Sequence, residues 1–75
     1  MSWKNVEDKH RKNFERDFVS CGEYYERQFV IDTIVEEFPF LVREKVKVAV
    51  DHCCIAIPPL RPIDKFLQCV ADNIK

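Results

Sequence analysis

Six side chains in this sequence have the chemistry of soft metal ligands or nucleophiles: Cys21, His52, Cys53, Cys54 and Cys69, with His10 set apart from them. Zinc and iron sites gather thiolates at spacings such as Cys-x2-Cys, so that two sulfurs converge on one ion. Here His52, Cys53 and Cys54 are consecutive, and neighbouring residues on a helix point about 100° apart. The set is a weak metal candidate, and no metal or other cofactor is expected. The same divergence keeps Asp51, His52 and Cys53 from acting as a nucleophile, base and orienting acid. Cys53 falls on an apolar stripe, where a free cysteine behaves as a small hydrophobe. Cys54 lies off that stripe and is the better redox thiol, with His52 as the neighbouring cation. His10 faces an apolar line of residues and reads as a hydrogen-bonded histidine at the core edge. No phosphate loop or convergent acid pair is present, and no catalytic activity is expected.

An even cysteine count in a chain of 75 residues suggests disulfides. Two features oppose that reading. The start, Met1 to His10, lacks the apolar run of a signal peptide, which makes a cytoplasmic location with reduced thiols the expectation. Two bridges would also require Cys53 and Cys54 to reach different partners from one helix. No stretch reaches the ~20 apolar residues of a membrane span, so no membrane association is expected.

Twelve basic and thirteen acidic residues give a net charge of −1, which opposes a strong nonspecific hold on nucleic acid. The charges are mildly segregated. Lys9, Arg11, Lys12 and Arg16 form a basic cluster interleaved with Glu7, Asp8, Glu15 and Asp17, whereas Glu23, Glu26, Asp32, Glu36 and Glu37 face a single base, Arg27, in the next segment. Glu7–Arg11 and Asp8–Lys12 have the spacing of helical ion pairs, so the basic segment reads as a solvated, salt-bridged face. A helix-turn-helix-like nucleic-acid-binding protein remains an alternative, with Lys9, Arg11, Lys12 and Arg16, or Arg43, Lys45 and Lys47, as phosphate contacts.

The periodicity that must position these residues is helical. Trp3, Val6, His10, Phe14, Phe18 and Cys21 recur at steps of three or four, predicting a first helix over about 3–20. Gly22, the only glycine, suits its left-handed end, and Ser20 with Glu23 has capping-box spacing for a second helix over about 22–38. Tyr24, Ile31, Ile34, Val35 and Phe38 form the core stripe of that helix, with Val30 at its flank. The alternative merges the two into one long bent helix from Ser2 to Phe38, leaving three helices. Pro39 forces a stop.

A third helix is expected over about 40–55. Alternation of Val46, Val48 and Val50 with Lys45, Lys47 and Ala49 also permits a strand, but the apolar spacing from Leu41 to Ile57 is continuous only as a helix. Pro58, Pro59 and Pro62 make a stiff connector. Pro62 then opens a fourth helix over about 62–74, whose Ile63, Phe66, Leu67, Val70 and Ile74 form the cleanest stripe in the chain. The expected fold is all-α, a small single-domain bundle of four short helices.

The third helix is apolar on two sides. Val42, Val46, Ala49, Val50, Cys53 and Ile57 make one stripe, and Leu41, Val48 and Ile55, flanked by Lys45 and His52, make a roughly opposite one at seven-residue steps. Either another helix of the same bundle covers the second stripe or another chain does. The functional expectation is a small protein–protein interaction module, a homodimer or a binder of another protein, working through Leu41, Lys45, Val48, His52 and Ile55. Tyr25 and Phe29, four apart on a separate face, form a secondary patch. A thiol or metal protein using the cysteines is the remaining alternative.

Overall fold

The computed structural model describes residues 2–74. Its elements are α1 (Trp3–Phe14), β1 (Phe18–Val19), α2 (Tyr24–Glu37), α3 (Arg43–Ala56), β2 (Arg61–Pro62) and α4 (Ile63–Asn73). Each helix packs on the next and α4 returns to α1, which closes a four-cornered bundle. The all-α expectation holds, with a two-residue ribbon added.

Local chemistry accounts for half of the helix ends. The Ser2 hydroxyl accepts the Asn5 N–H at 3.2 Å and caps α1, and Arg11 and Lys12 sit in its last turn against the negative end of the dipole. Pro39 follows the last turn of α2, where the Phe38 N–H still reaches the Ile34 carbonyl at 2.8 Å. The Arg61 guanidinium donates to the Cys54 carbonyl at 2.8 Å, satisfying an acceptor in the last turn of α3.

Two expectations about the first half are corrected. The first helix ends at Phe14, not near residue 20, because Glu15 takes the left-handed conformation at φ 55° and its N–H closes on the Arg11 carbonyl. Phe18 and Val19 leave the helix and pair antiparallel with Pro62 and Arg61, and the Ile63 N–H donates to the Asp17 carbonyl at 2.8 Å. The helices are therefore separate, and the merged bent helix is excluded. Neither Gly22 nor a Ser20–Glu23 capping box forms the boundary; Glu23 caps α2 without a side-chain bond, and Gly22 lies in the turn ahead of it.

The strand alternative for the valine-rich segment is also excluded. Val46 and Val50 are buried while Val48 faces out, a separation that a helix requires and a strand, with all three on one face, forbids. The core joins Val6 of α1, Val19, then Val30, Ile31, Ile34 and Phe38 of α2, Val46, Ala49, Val50 and Cys53 of α3, and Ile63, Phe66, Leu67 and Val70 of α4. Tyr24, expected in the α2 stripe, is instead 69% exposed, and Val42 is exposed at the α3 N-cap.

Candidate functional site

Three features of the molecule concentrate chemistry or surface: the cystines, a buried charge cluster, and the outer face of α3. The cysteines overturn the expectation of free thiols. Cys21 bonds Cys54 and Cys53 bonds Cys69, so the turn before α2 and the helix α4 are both tied to the end of α3. The divergence of adjacent helical side chains, which argues against a shared metal, is what lets Cys53 turn inward to α4 while Cys54 turns to Cys21. With all four sulfurs bonded, Cys54 offers no thiolate nucleophile and the cysteines offer no thiolate ligands. Among the described residues no group of three or more His, Cys, Asp or Glu side chains is arranged to hold a metal ion. His52 is exposed, and Asp51 is directed to Lys47 at 2.9 Å, so the Asp51–His52–Cys53 run has no convergent geometry.

The charge cluster joins α1, the loop after it and α2. His10 and Glu26 are both fully buried, with His10 Nε2 and Glu26 Oε2 at 2.8 Å. The Arg16 guanidinium pairs with the other carboxylate oxygen of Glu26, and the Ser20 N–H donates to Oε2 at 3.1 Å. Arg16 also lies over the rings of Phe14 and Phe18, 5.2 and 5.1 Å from their centroids. Burial, then the Arg16 guanidinium, pushes the His10 pKa down to about 4. The geometry agrees: His10 Nδ1 is buried without a partner, which suits the lone pair of a neutral ring and would strand a proton on a charged one. His10 is therefore neutral, with Nε2–H donating to the carboxylate.

The sequence pointed to a hydrogen-bonded His10 at the core edge, where the structure buries it fully, but gave no notice of Glu26 and Arg16 as its neighbours. A signal was present: Glu26 stands four residues before Val30 and eight before Ile34, on the line that faces the core. A carboxylate on that line, opposite an inward histidine, is a buried pair in prospect.

Ion pairs within the basic segment, between it and the acidic one, and from α3 take up most of these charges. Lys9 reaches Glu37 at 4.0 Å, Arg11 pairs with Glu7 and with Asp17 at 2.7 Å, Arg16 holds Glu26, and Arg43 pairs with Asp32. Asp8 pairs with Lys4, not with Lys12 as its spacing suggests. Asn5 and the Ser2 N–H bond Glu37 and hold its carboxyl below the usual range. Lys9, Arg11 and Arg16 are thus paired within the chain, Lys9 and Arg11 at its surface and Arg16 toward the interior.

The secondary patch is partly packed within the protein, with Phe29 half-buried. Phe14 meets Phe29 edge to face at 5.2 Å and stacks with Tyr25 at 6.3 Å, leaving Tyr25 62% exposed.

The outer face of α3 is different. Val48 is 61% and Ile55 87% exposed, so no helix of the bundle covers them. Lys45 and His52 are exposed beside them. Leu41 does not join this face: it lies before the N-cap, its N–H bonds the Phe38 carbonyl, and its side chain packs partly on the core. The face is therefore Val48 and Ile55 with Glu44, Lys45, Asp51 and His52 around them. A shallow groove beside it, lined by Glu44, Lys45, Val48 and Asn73, separates α3 from the end of α4.

No protein-family model, curated protein or solved structure matches this chain.

Proposed function

We propose that the protein is a small, disulfide-stapled interaction module that associates with a second copy of itself through the outer face of α3, with no bond chemistry of its own. The observation that carries this reading is that Val48 and Ile55 line up on one exposed face of a helix whose other side is already buried in the core, while the other exposed large apolar side chains, Tyr24, Tyr25, Phe40, Val42 and Leu60, lie outside that face. Burying two such side chains from each copy is a favourable but modest driving force, about 25 cal/mol per Å² of apolar surface. A patch this small belongs with weak, transient interfaces.

The nucleic-acid alternative loses support from the internal pairing of Lys9, Arg11 and Arg16. The thiol and metal alternative loses support from the bonding of all four sulfurs. The same cystines favour an oxidising compartment over the cytoplasm, since reducing cytosol opens such bonds. No helix among the described residues is long and apolar enough to cross a membrane.

Sedimentation velocity over a concentration series tests the reading. Wild type should shift from monomer toward dimer as concentration rises, and Val48→Asp should stay monomeric with an unchanged helical circular dichroism spectrum and melting curve. A wild-type chain that sediments as a monomer up to millimolar concentration defeats the proposal.

A further inference from the structure

Around the axis of α3 the charges beside the apolar pair are sorted by sign. With Val48 as reference and about 100° per residue, Ile55 lies about 20° away, Glu44 and Asp51 about 40° and 60° to one side, and His52 and Lys45 about 40° and 60° to the other. An acidic rail and a basic rail therefore run along opposite edges of one apolar line. Glu44, Lys45 and His52 are exposed and make no close ion pair among the described residues, Glu44 acting only at longer range on Lys47, although most other charged side chains of the helices are paired. Asp51 is already held by Lys47 at 2.9 Å and lies 3.9 Å from Arg27, so Glu44 and Lys45 dominate what the face offers a partner.

Two copies of such a face can meet in two ways related by a two-fold axis. With the axis perpendicular to the helices they run antiparallel, and each rail faces its own kind. With the axis along the helices they run parallel, and each acidic rail faces the partner's basic rail at the same level. Resting on the self-association reading above, we infer that two copies pair with their α3 helices parallel and in register, Val48 on Val48 and Ile55 on Ile55, with Glu44 of each copy facing Lys45 of the other. The antiparallel arrangement sets Glu44 and Lys45 against Asp51, which Lys47 already holds, and His52, and so offers them no opposite charge, whereas the parallel one sets Glu44 on Lys45 twice over by symmetry.

The test uses Glu44→Lys and Lys45→Glu in the oxidised full chain, with circular dichroism to confirm the fold and sedimentation at low ionic strength to read association. Each variant alone places like charges at both symmetric positions and should weaken self-association about tenfold. An equimolar mixture of the two restores opposite charges at both positions and should return association to the wild-type level. If either variant associates as well as or better than wild type, or the mixture fails to recover, the parallel pairing is overturned while α3 self-association stands. If Val48→Asp leaves the wild-type dimer intact, the α3 reading itself falls, and the orientation with it.

Discussion

At the scale of single residues, the interior of this protein turns on one uncharged imidazole. Neutral His10 donates to a carboxylate whose other contacts come from Arg16 and the Ser20 N–H. A base whose pKa is lowered in the folded state binds fewer protons there than when unfolded, so stability rises with pH between the two values. For His10, that window runs from about 4 in the folded protein to 6.5 in the unfolded chain. Urea midpoints should therefore fall as pH drops from 6.5 toward 5, above the range where most carboxylates titrate. His10→Gln should flatten that slope, since the amide keeps a donor for Glu26 and removes the titration. A wild-type midpoint constant from about pH 7 to about pH 5 would contradict a buried neutral histidine. His10 was legible from the sequence because it sits on the apolar line of Trp3 and Val6. Glu26 was passed over because its segment is acidic throughout, and composition hid the one acid whose position faces inward.

At the scale of elements, the sequence showed where α3 and α4 lie and which sides they bury, because their apolar spacing is regular and prolines frame them. It misplaced the end of α1. Phe14 and Phe18 are four apart and mimic another helical turn, whereas the break depends on Glu15 entering a left-handed conformation that only tertiary demands impose. That break lets Arg16 reach Glu26 and frees Phe18 and Val19 to pair with β2. The cystines were missed because the divergence of Cys53 and Cys54 counted against two bridges as well as against a shared metal, although two bridges to different elements need that divergence. They fasten α3 to elements distant in sequence, closing loops of 33 and 16 residues. Chain entropy assigns about 4 kcal/mol to the longer loop and about 3 kcal/mol to the shorter. Paired replacement of Cys21 and Cys54 by serine should lower the unfolding free energy by about 4 kcal/mol in a urea titration. The same paired replacement of Cys53 and Cys69 should cost more than the loop alone, because Cys53 is fully buried and a serine hydroxyl in its place would enter an apolar site. Titration of the native protein with a thiol reagent should find no free sulfhydryl; four reactive thiols in material purified without reductant would overturn the bridged arrangement.

For the whole molecule, the accessible surface of 4615 Å² decides how the exposed face of α3 is to be read. A compact chain of 8.9 kDa exposes about 4,800 Å² by the scaling of monomeric proteins, so the bundle is fully closed and its exposed valine and isoleucine are not symptoms of a loose fold. Closure at this size depends on the cystines. Total stability at ~0.05–0.15 kcal/mol per residue comes to about 4–11 kcal/mol, comparable to the roughly 7 kcal/mol of the two loop closures together. Reducing both bridges without denaturant should therefore remove most of the helical circular dichroism signal at about 37 °C, and reoxidation should restore it. The self-association proposed above should vanish in step, since the apolar line on α3 exists only while the helix is folded and anchored at Cys53 and Cys54. A reduced chain that keeps its melting curve would show that helix packing alone holds the bundle.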